Sequence, residues 1–282
     1  MKLAIITDSS ANLETSYIAG IPFLWVLPLM IIIGGIPYRD QIDVQPGEVY
    51  AQLDKSKVTT SLPDLQELKN TLDAIKTEGY TDVLSINISS GLSGTYNAFS
   101  LFFDNYEGLK IHKFDSKTLA GAQGMLVMRA VALAEQGQHP EAIIQELTKL
   151  RYEDSLAFYT INTLKYLKRG GRIGKIEGTI GDILHIKPVI TVSDEGVYTT
   201  FSKNFGFNRA IMSIRKALTN KFNETPIDVI IHYGDDEAMA QSLAVKLRAE
   251  LKVNTLTITQ LTPVLGIHTG PEMIAVIAWV AA

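Results

Sequence analysis

Short apolar runs rich in Ile and Val alternate with amphipathic segments almost from one end of the chain to the other, and this alternation limits the possible folds most sharply. Leu3–Thr7, Val83–Ile88, Ile111–Phe114, Ala157–Thr160, Pro188–Val192, Val229–His232 and Ile274–Trp279 read as strands. Leu65–Ile75, Tyr96–Asn105, Leu119–Gly137, Glu141–Leu150, Arg209–Leu218 and Glu237–Leu251 read as helices. Such an order predicts an α/β protein, with parallel-rich sheets covered by helices on both faces. Val189–Thr191, Glu195-Gly196 and Val197–Thr200 instead carry a hairpin pattern, which predicts a mixed sheet in the second half. A polar cluster at Tyr152–Ser155 separates the two series. The expected organisation is therefore two α/β domains, residues 1–154 with a parallel-rich sheet and residues 155–282 with a mixed one.

From Thr15 to Tyr38 no residue is charged, and Ile18–Pro37 approaches the length of a membrane span. Pro22, Pro28, Pro37 and the Gly34-Gly35 pair break it into strand-sized pieces. Asp8 and Glu14 precede it where a signal peptide would carry Lys or Arg. Phe23–Ile33 is thus expected to be a buried strand followed by a turn at Gly34-Gly35, with no transmembrane segment. The 282 residues contain no cysteine, which excludes disulfides, thiolate catalysis and Cys-ligated metal sites, and agrees with a cytoplasmic location. A net charge of -4 lacks the basic footprint that nucleic acid requires.

In open α/β sheets, ligands sit where strands end and loops lead into helices. Four such loops stand out. Thr7-Asp8-Ser9-Ser10 follows the first strand, and its groups can cap a helix or order neighbouring loops. In Thr59-Thr60-Ser61-Leu62-Pro63-Asp64, Ser61 and Asp64 have capping-box spacing, whereas Thr60 has no structural task and can donate to an oxyanion. Ser89-Ser90-Gly91-Leu92-Ser93-Gly94-Thr95-Tyr96 joins a buried strand to a helix. Its glycines permit close backbone approach, and its hydroxyls exceed what one cap needs, so Ser93 and Gly94 are candidate oxyanion donors, with Asp8, Ser61, Ser90 and Thr95 in support. In Gly266-Ile267-His268-Thr269-Gly270-Pro271, the flanking glycines place His268 on a shaped turn, where its imidazole can meet a carboxylate or the hydroxyls. No loop matches a P-loop or a GxGxxG dinucleotide pattern. The five basic residues between Lys165 and Lys175 read as a solvated loop or a docking surface for a partner protein.

Taken in order, these motifs resemble the DegV family, which includes the fatty-acid-binding subunits (FakB) of bacterial fatty acid kinase. The likeness runs end to end, through Thr7-Asp8-Ser9-Ser10, Pro28-Leu29, Tyr38-Arg39-Asp40, Thr60-Ser61 with Pro63, Ser89–Tyr96, Asp115-Ser116, Gly170-Gly171-Arg172-Ile173, Lys187-Pro188 and Gly266–Pro271. The resemblance implies two α/β domains with a lipid tunnel between them. It implies a long-chain fatty acid as ligand, with no further cofactor or metal, its carboxylate held at Thr60, Ser93 and His268. It also implies a non-catalytic carrier that presents the acid to a kinase subunit for conversion to acyl phosphate. Leu62, Asp64 and Glu272 depart from the usual Gln, Ser and Gly. Phe205 stands where many members have an Arg associated with the kinase, so the kinase partnership and lipid binding are separate expectations. The alternative is a serine hydrolase, with Ser93 as nucleophile, His268 as base and Asp8 or Asp115 as orienter. Gly91-Leu92-Ser93-Gly94-Thr95 lacks the last glycine of G-x-S-x-G, which ranks that reading second.

Overall fold

The computed structural model describes residues 1–180 and 186–281, with the side chains of 179 and 180 left aside. In chain order the strands are β1 (Leu3–Asp8), β2 (Leu24–Leu27), β3 (Met30–Ile33), β4 (Ile36–Arg39) and β5 (Val58–Ser61). They continue with β6 (Asp82–Asn87), β7 (Lys110–Asp115), β8 (Ser155–Ile161) and β9 (Ile186–Val192). The last are β10 (Tyr198–Phe205), β11 (Ile227–Tyr233), β12 (Val253–Gln260) and β13 (Met273–Val280). They form a parallel sheet in the order β2-β1-β6-β7, a small antiparallel sheet β4-β3-β5, and a mixed sheet β10-β9-β8-β13-β11-β12. Among the described residues only β11 and β12 pair in parallel in the mixed sheet, and β9–β10 is the expected antiparallel hairpin.

Alternating residues of β1 explain the layers. Ala4 and Ile6 pack with Leu68, Leu72 and Phe99 of helices Leu65–Thr77 and Thr95–Phe103. Ile5 faces the opposite core, which runs through helices Ala120–Glu135 and Pro140–Tyr152 to Ile190, Ala275 and Ile277 of the mixed sheet. The far face of that sheet is closed by helices Phe207–Phe222 and Glu237–Glu250. Burial of β1 and β6 on both faces is what their near-continuous Ile, Val and Leu content requires.

The expected single strand over Phe23–Ile33 is instead two strands in different sheets. Pro28 offers no N–H to a ladder, and the Leu29 N–H turns aside to Ser9 Oγ at 3.0 Å. Gly34 and Gly35 have positive φ and join β3 to β4, as a tight hairpin needs. Among the described residues, no helix is long and apolar enough to cross a membrane. Short β5, which reads as loop in the sequence, is a strand because β3 pairs with it, Ile31 opposite Thr60.

Helix Ala120–Glu135 binds both large sheets. Gln123 donates to Thr7 Oγ1 at 3.0 Å and accepts from Ser10 Oγ at 2.7 Å, while Gly121 N–H donates to His232 Nε2 on β11 at 2.9 Å. Gly124 lets the helix touch the turn at 9–11, since a Cβ there would lie 2.5 Å from the Ala11 carbonyl oxygen. Gly124→Ala is accordingly expected to destabilise the protein by about 1–3 kcal/mol through overpacking against backbone, measured by urea unfolding.

Candidate functional site

The loops after β5 and β6 and the helix Pro263–Thr269 close around a cavity of about 250 Å3. Thr60, Ser61, Ser93, Gly94, Arg172, Tyr198 and His268 supply its polar lining. Leu29, Ile88, Leu119, Val264 and Leu265 line it as well, and all five belong to the core between the two large sheets. One compartment thus joins hydrogen-bond donors to a greasy interior.

His268 sits in the last turn of its helix rather than on the expected turn. Pro263 starts that helix with its fixed φ, and buried Asp40 accepts from Val264 N–H at 2.9 Å and from Thr262 Oγ. The glycines flanking His268 admit neighbours instead of shaping a turn. A Cβ at Gly266 would lie 2.7 Å from the Tyr50 ring, and Gly270 has φ of 75° against Tyr166. Burial pushes the Asp40 carboxyl up to about 6, since its donors offset only part of the desolvation.

His268 Nε2 lies 3.1 Å from Thr60 Oγ1, while Nδ1 is buried against Gly170 without a partner among the described residues. A buried orphan N–H is less well tolerated than an orphan lone pair, so the favoured tautomer carries its proton on Nε2. His268 then donates to Thr60, and the Thr60 O–H is free to donate into the cavity. Burial, with help from the Arg172 charge, lowers His268 to about 4, so the ring is neutral at pH 7. Arg172 is the cation at this end of the cavity, held by bonds from Nε to the Leu92 carbonyl at 3.3 Å and from NH1 to the Gly170 carbonyl at 2.6 Å.

The Ser93 loop is fixed from behind. Ser89 Oγ donates to the Gly196 carbonyl in the β9–β10 turn at 2.7 Å, and a Cβ at Gly91 would lie 2.5 Å from that oxygen. Ser93 Oγ is 2.9 Å from Thr95 Oγ1, so Thr95 orients Ser93. Gly94 precedes the first turn of helix Thr95–Phe103, where N–H groups lack intrahelical acceptors.

The structure brings Thr60, Ser93, Gly94 and His268 together as the sequence reading expects, with Thr95 behind them. Ser61 is not the helix cap: Asp64 is, accepting from Gln66 N–H at 2.8 Å, and Ser61 ends β5 at the cavity. Ser90 lies apart, bonded to Lys117 Nζ at 2.9 Å. Asp8 is buried behind the site, accepting from Ile88 N–H at 2.9 Å and Asn87 Nδ2 at 3.2 Å, and burial raises its carboxyl. The hydrolase triad does not assemble: His268 bonds to Thr60, its Nδ1 meets no acid, and Asp115 pairs with Lys117 at 2.7 Å. Sequence reading missed Arg172 as a lining residue, because it lies in a basic run whose Lys165 and Arg169 pair with Asp54. The two glycines just before it were the available signal, since Gly170 is what leaves room for His268.

These features define an α/β protein with a donor-lined cavity opening on an apolar core. The family model described as "Uncharacterised protein, DegV family" matches residues 2–280, and the chain belongs to that family. A DegV domain-containing protein of Clostridium perfringens is 37% identical over 275 residues, covering 98% of this chain and 97% of the relative. A DegV family protein of Thermus thermophilus described for its fatty acid binding has 30% identity, full coverage of both chains and a TM-score of 0.92. A fatty acid binding DegV family protein of Streptococcus agalactiae has 29% identity, the same coverage and a TM-score of 0.90.

The His268 environment gives a signed pH effect. An unfolded chain protonates this ring near 6.5 and the fold only near about 4, so between those values the unfolded state binds more protons. The contribution is fully present above 6.5 and is lost as pH falls toward 4, on the order of 3 kcal/mol in all. Denaturant unfolding is expected to show a steeper acid loss in the parent than in His268→Gln, and histidine NMR a midpoint for this ring well below pH 5.5.

Proposed function

We propose that the protein is a fatty-acid-binding carrier that holds a long-chain fatty acid at this cavity, with no metal or further cofactor. The carrying observation is the convergence of Thr60, Ser93, Arg172 and His268 at a cavity also lined by Leu29, Ile88, Leu119, Val264 and Leu265. A carboxylate leaving water needs several donors, and here Thr60 O–H, Ser93 O–H, the Gly94 N–H and Arg172 offer them. Each buried tail methylene adds about 0.8 kcal/mol, so tight binding needs no catalytic group. The fatty acid binding described for the Thermus and Streptococcus relatives supports the same ligand class here.

Lipid extraction and mass spectrometry of the purified protein are expected to find a copurified fatty acid; empty protein that also fails to take up added acyl chains would overturn the reading. Ser93→Ala is expected to weaken fatty acid binding by about 1–3 kcal/mol, because a charged acceptor loses its donor. Isothermal titration on delipidated protein measures this.

Presentation of the acid to a cytoplasmic fatty acid kinase, giving acyl phosphate, extends the same proposal and rests on the family resemblance. Phe205 on edge strand β10 is 63% exposed where that resemblance expects an Arg. Phe205→Arg is therefore expected to raise acyl phosphate formation with a bacterial fatty acid kinase while leaving fatty acid affinity unchanged. An equal rate in both proteins would separate this chain's docking from that position.

A further inference from the structure

A second cavity, of about 390 Å3, opens between helix Ala120–Glu135, the segment around Leu13 and Tyr17, and the face of β11, β12 and β13. It shares no lining residue with the first. Leu13, Met125, Met128, Ile230 and Trp279 give it an apolar wall.

Hydrogen bonding through His232, one of its lining residues, is directional. Gly121 N–H donates to His232 Nε2, so the ring proton sits on Nδ1, which lies 2.8 Å from Thr259 Oγ1 and donates to it. Thr259 therefore receives one hydrogen bond and keeps its own O–H for a ligand in the cavity. Burial lowers His232 to about 4, so this relay stays neutral at physiological pH. The charged groups lining the cavity are Glu14, Asp228 and Arg129, and Arg129 lies 3.8 Å from Glu146. With Arg129 drawn toward Glu146, the two lining carboxylates and a neutral hydroxyl donor disfavour an anion here and suit a neutral oxygen acceptor.

We propose that this cavity is a second ligand site, taking an uncharged molecule with an apolar body and one oxygen acceptor, of the fatty-alcohol class, whose oxygen receives the Thr259 hydroxyl proton. It stands apart from the carboxylate site in both location and charge preference, and neither claim depends on the other.

The protein's second tryptophan, Trp25, packs edge-on against Tyr80 and does not line this cavity, so Trp25→Phe leaves Trp279 as the sole indole reporter. Decanol is expected to change Trp279 emission saturably in that variant. The response should weaken at least fivefold on adding Thr259→Val, recover with Thr259→Ser, and disappear with Ala132→Phe, which fills the cavity from the helix side. Adding Ser93→Ala should leave the decanol affinity unchanged, and decanoate should bind this site at least tenfold more weakly. The proposal is overturned if folded Trp25→Phe protein shows no saturable response, if Thr259→Val or Ala132→Phe binds decanol as the parent does, if decanoate matches decanol, or if Ser93→Ala weakens the decanol response.

Discussion

A carboxylate buried at the end of the first strand must be surrounded by donors, and Asp8 meets that requirement by gathering the parts of the fold that carry the site. It accepts from Ile88 N–H and Asn87 at the end of β6 and from Ser10 in its own loop, while Ser10 reaches Gln123 on the central helix. Strand, neighbouring strand and helix are thereby held in one polar cluster below the cavity. Asp40 acts likewise for the other wall, binding the first turn of the helix that carries His268 in its last turn. Neither carboxylate lines the cavity, yet both set its shape, because a missing donor at either would leave a poorly solvated charge in the interior.

The donors above them are arranged by charge as well as by position. His268 is kept neutral by burial and passes its hydrogen bond to Thr60, while Arg172 supplies positive charge at the same cavity. This division suits an anionic ligand better than proton transfer, because among the described residues no acid faces His268 Nδ1 to stabilise an imidazolium. Ser93, turned toward Thr95, likewise lacks the base that would make it a nucleophile.

Much of this was legible in the sequence wherever the signal was local and periodic. The Ile- and Val-rich strands and the long helices follow burial on one or two faces, which a run of side chains records directly. Thr60 and Ser93 stood out because their loops held more hydroxyls than capping explains. What escaped depended on partners distant along the chain. β5 is a strand only because β3 lies beside it, the helix around His268 is capped by Asp40, and Arg172 looked like one of five solvated cations until Gly170 placed it beside the histidine. Ser61 carries a capping pattern in the sequence, but Asp64 three residues later occupies the N-cap itself and leaves Ser61 to line the cavity.

Thr60, Ser93, Arg172 and His268 come from stretches of chain that meet only when the two large sheets are packed around the central helix. A molecule seated among them binds the assembled state and has no counterpart site in the unfolded chain. Occupancy then acts as a cross-brace between the halves of the protein, adding about 2.7 kcal/mol to its stability at a free ligand concentration a hundredfold above Kd. An empty cavity forgoes that increment, so resistance to heat or proteolysis becomes a direct gauge of occupancy.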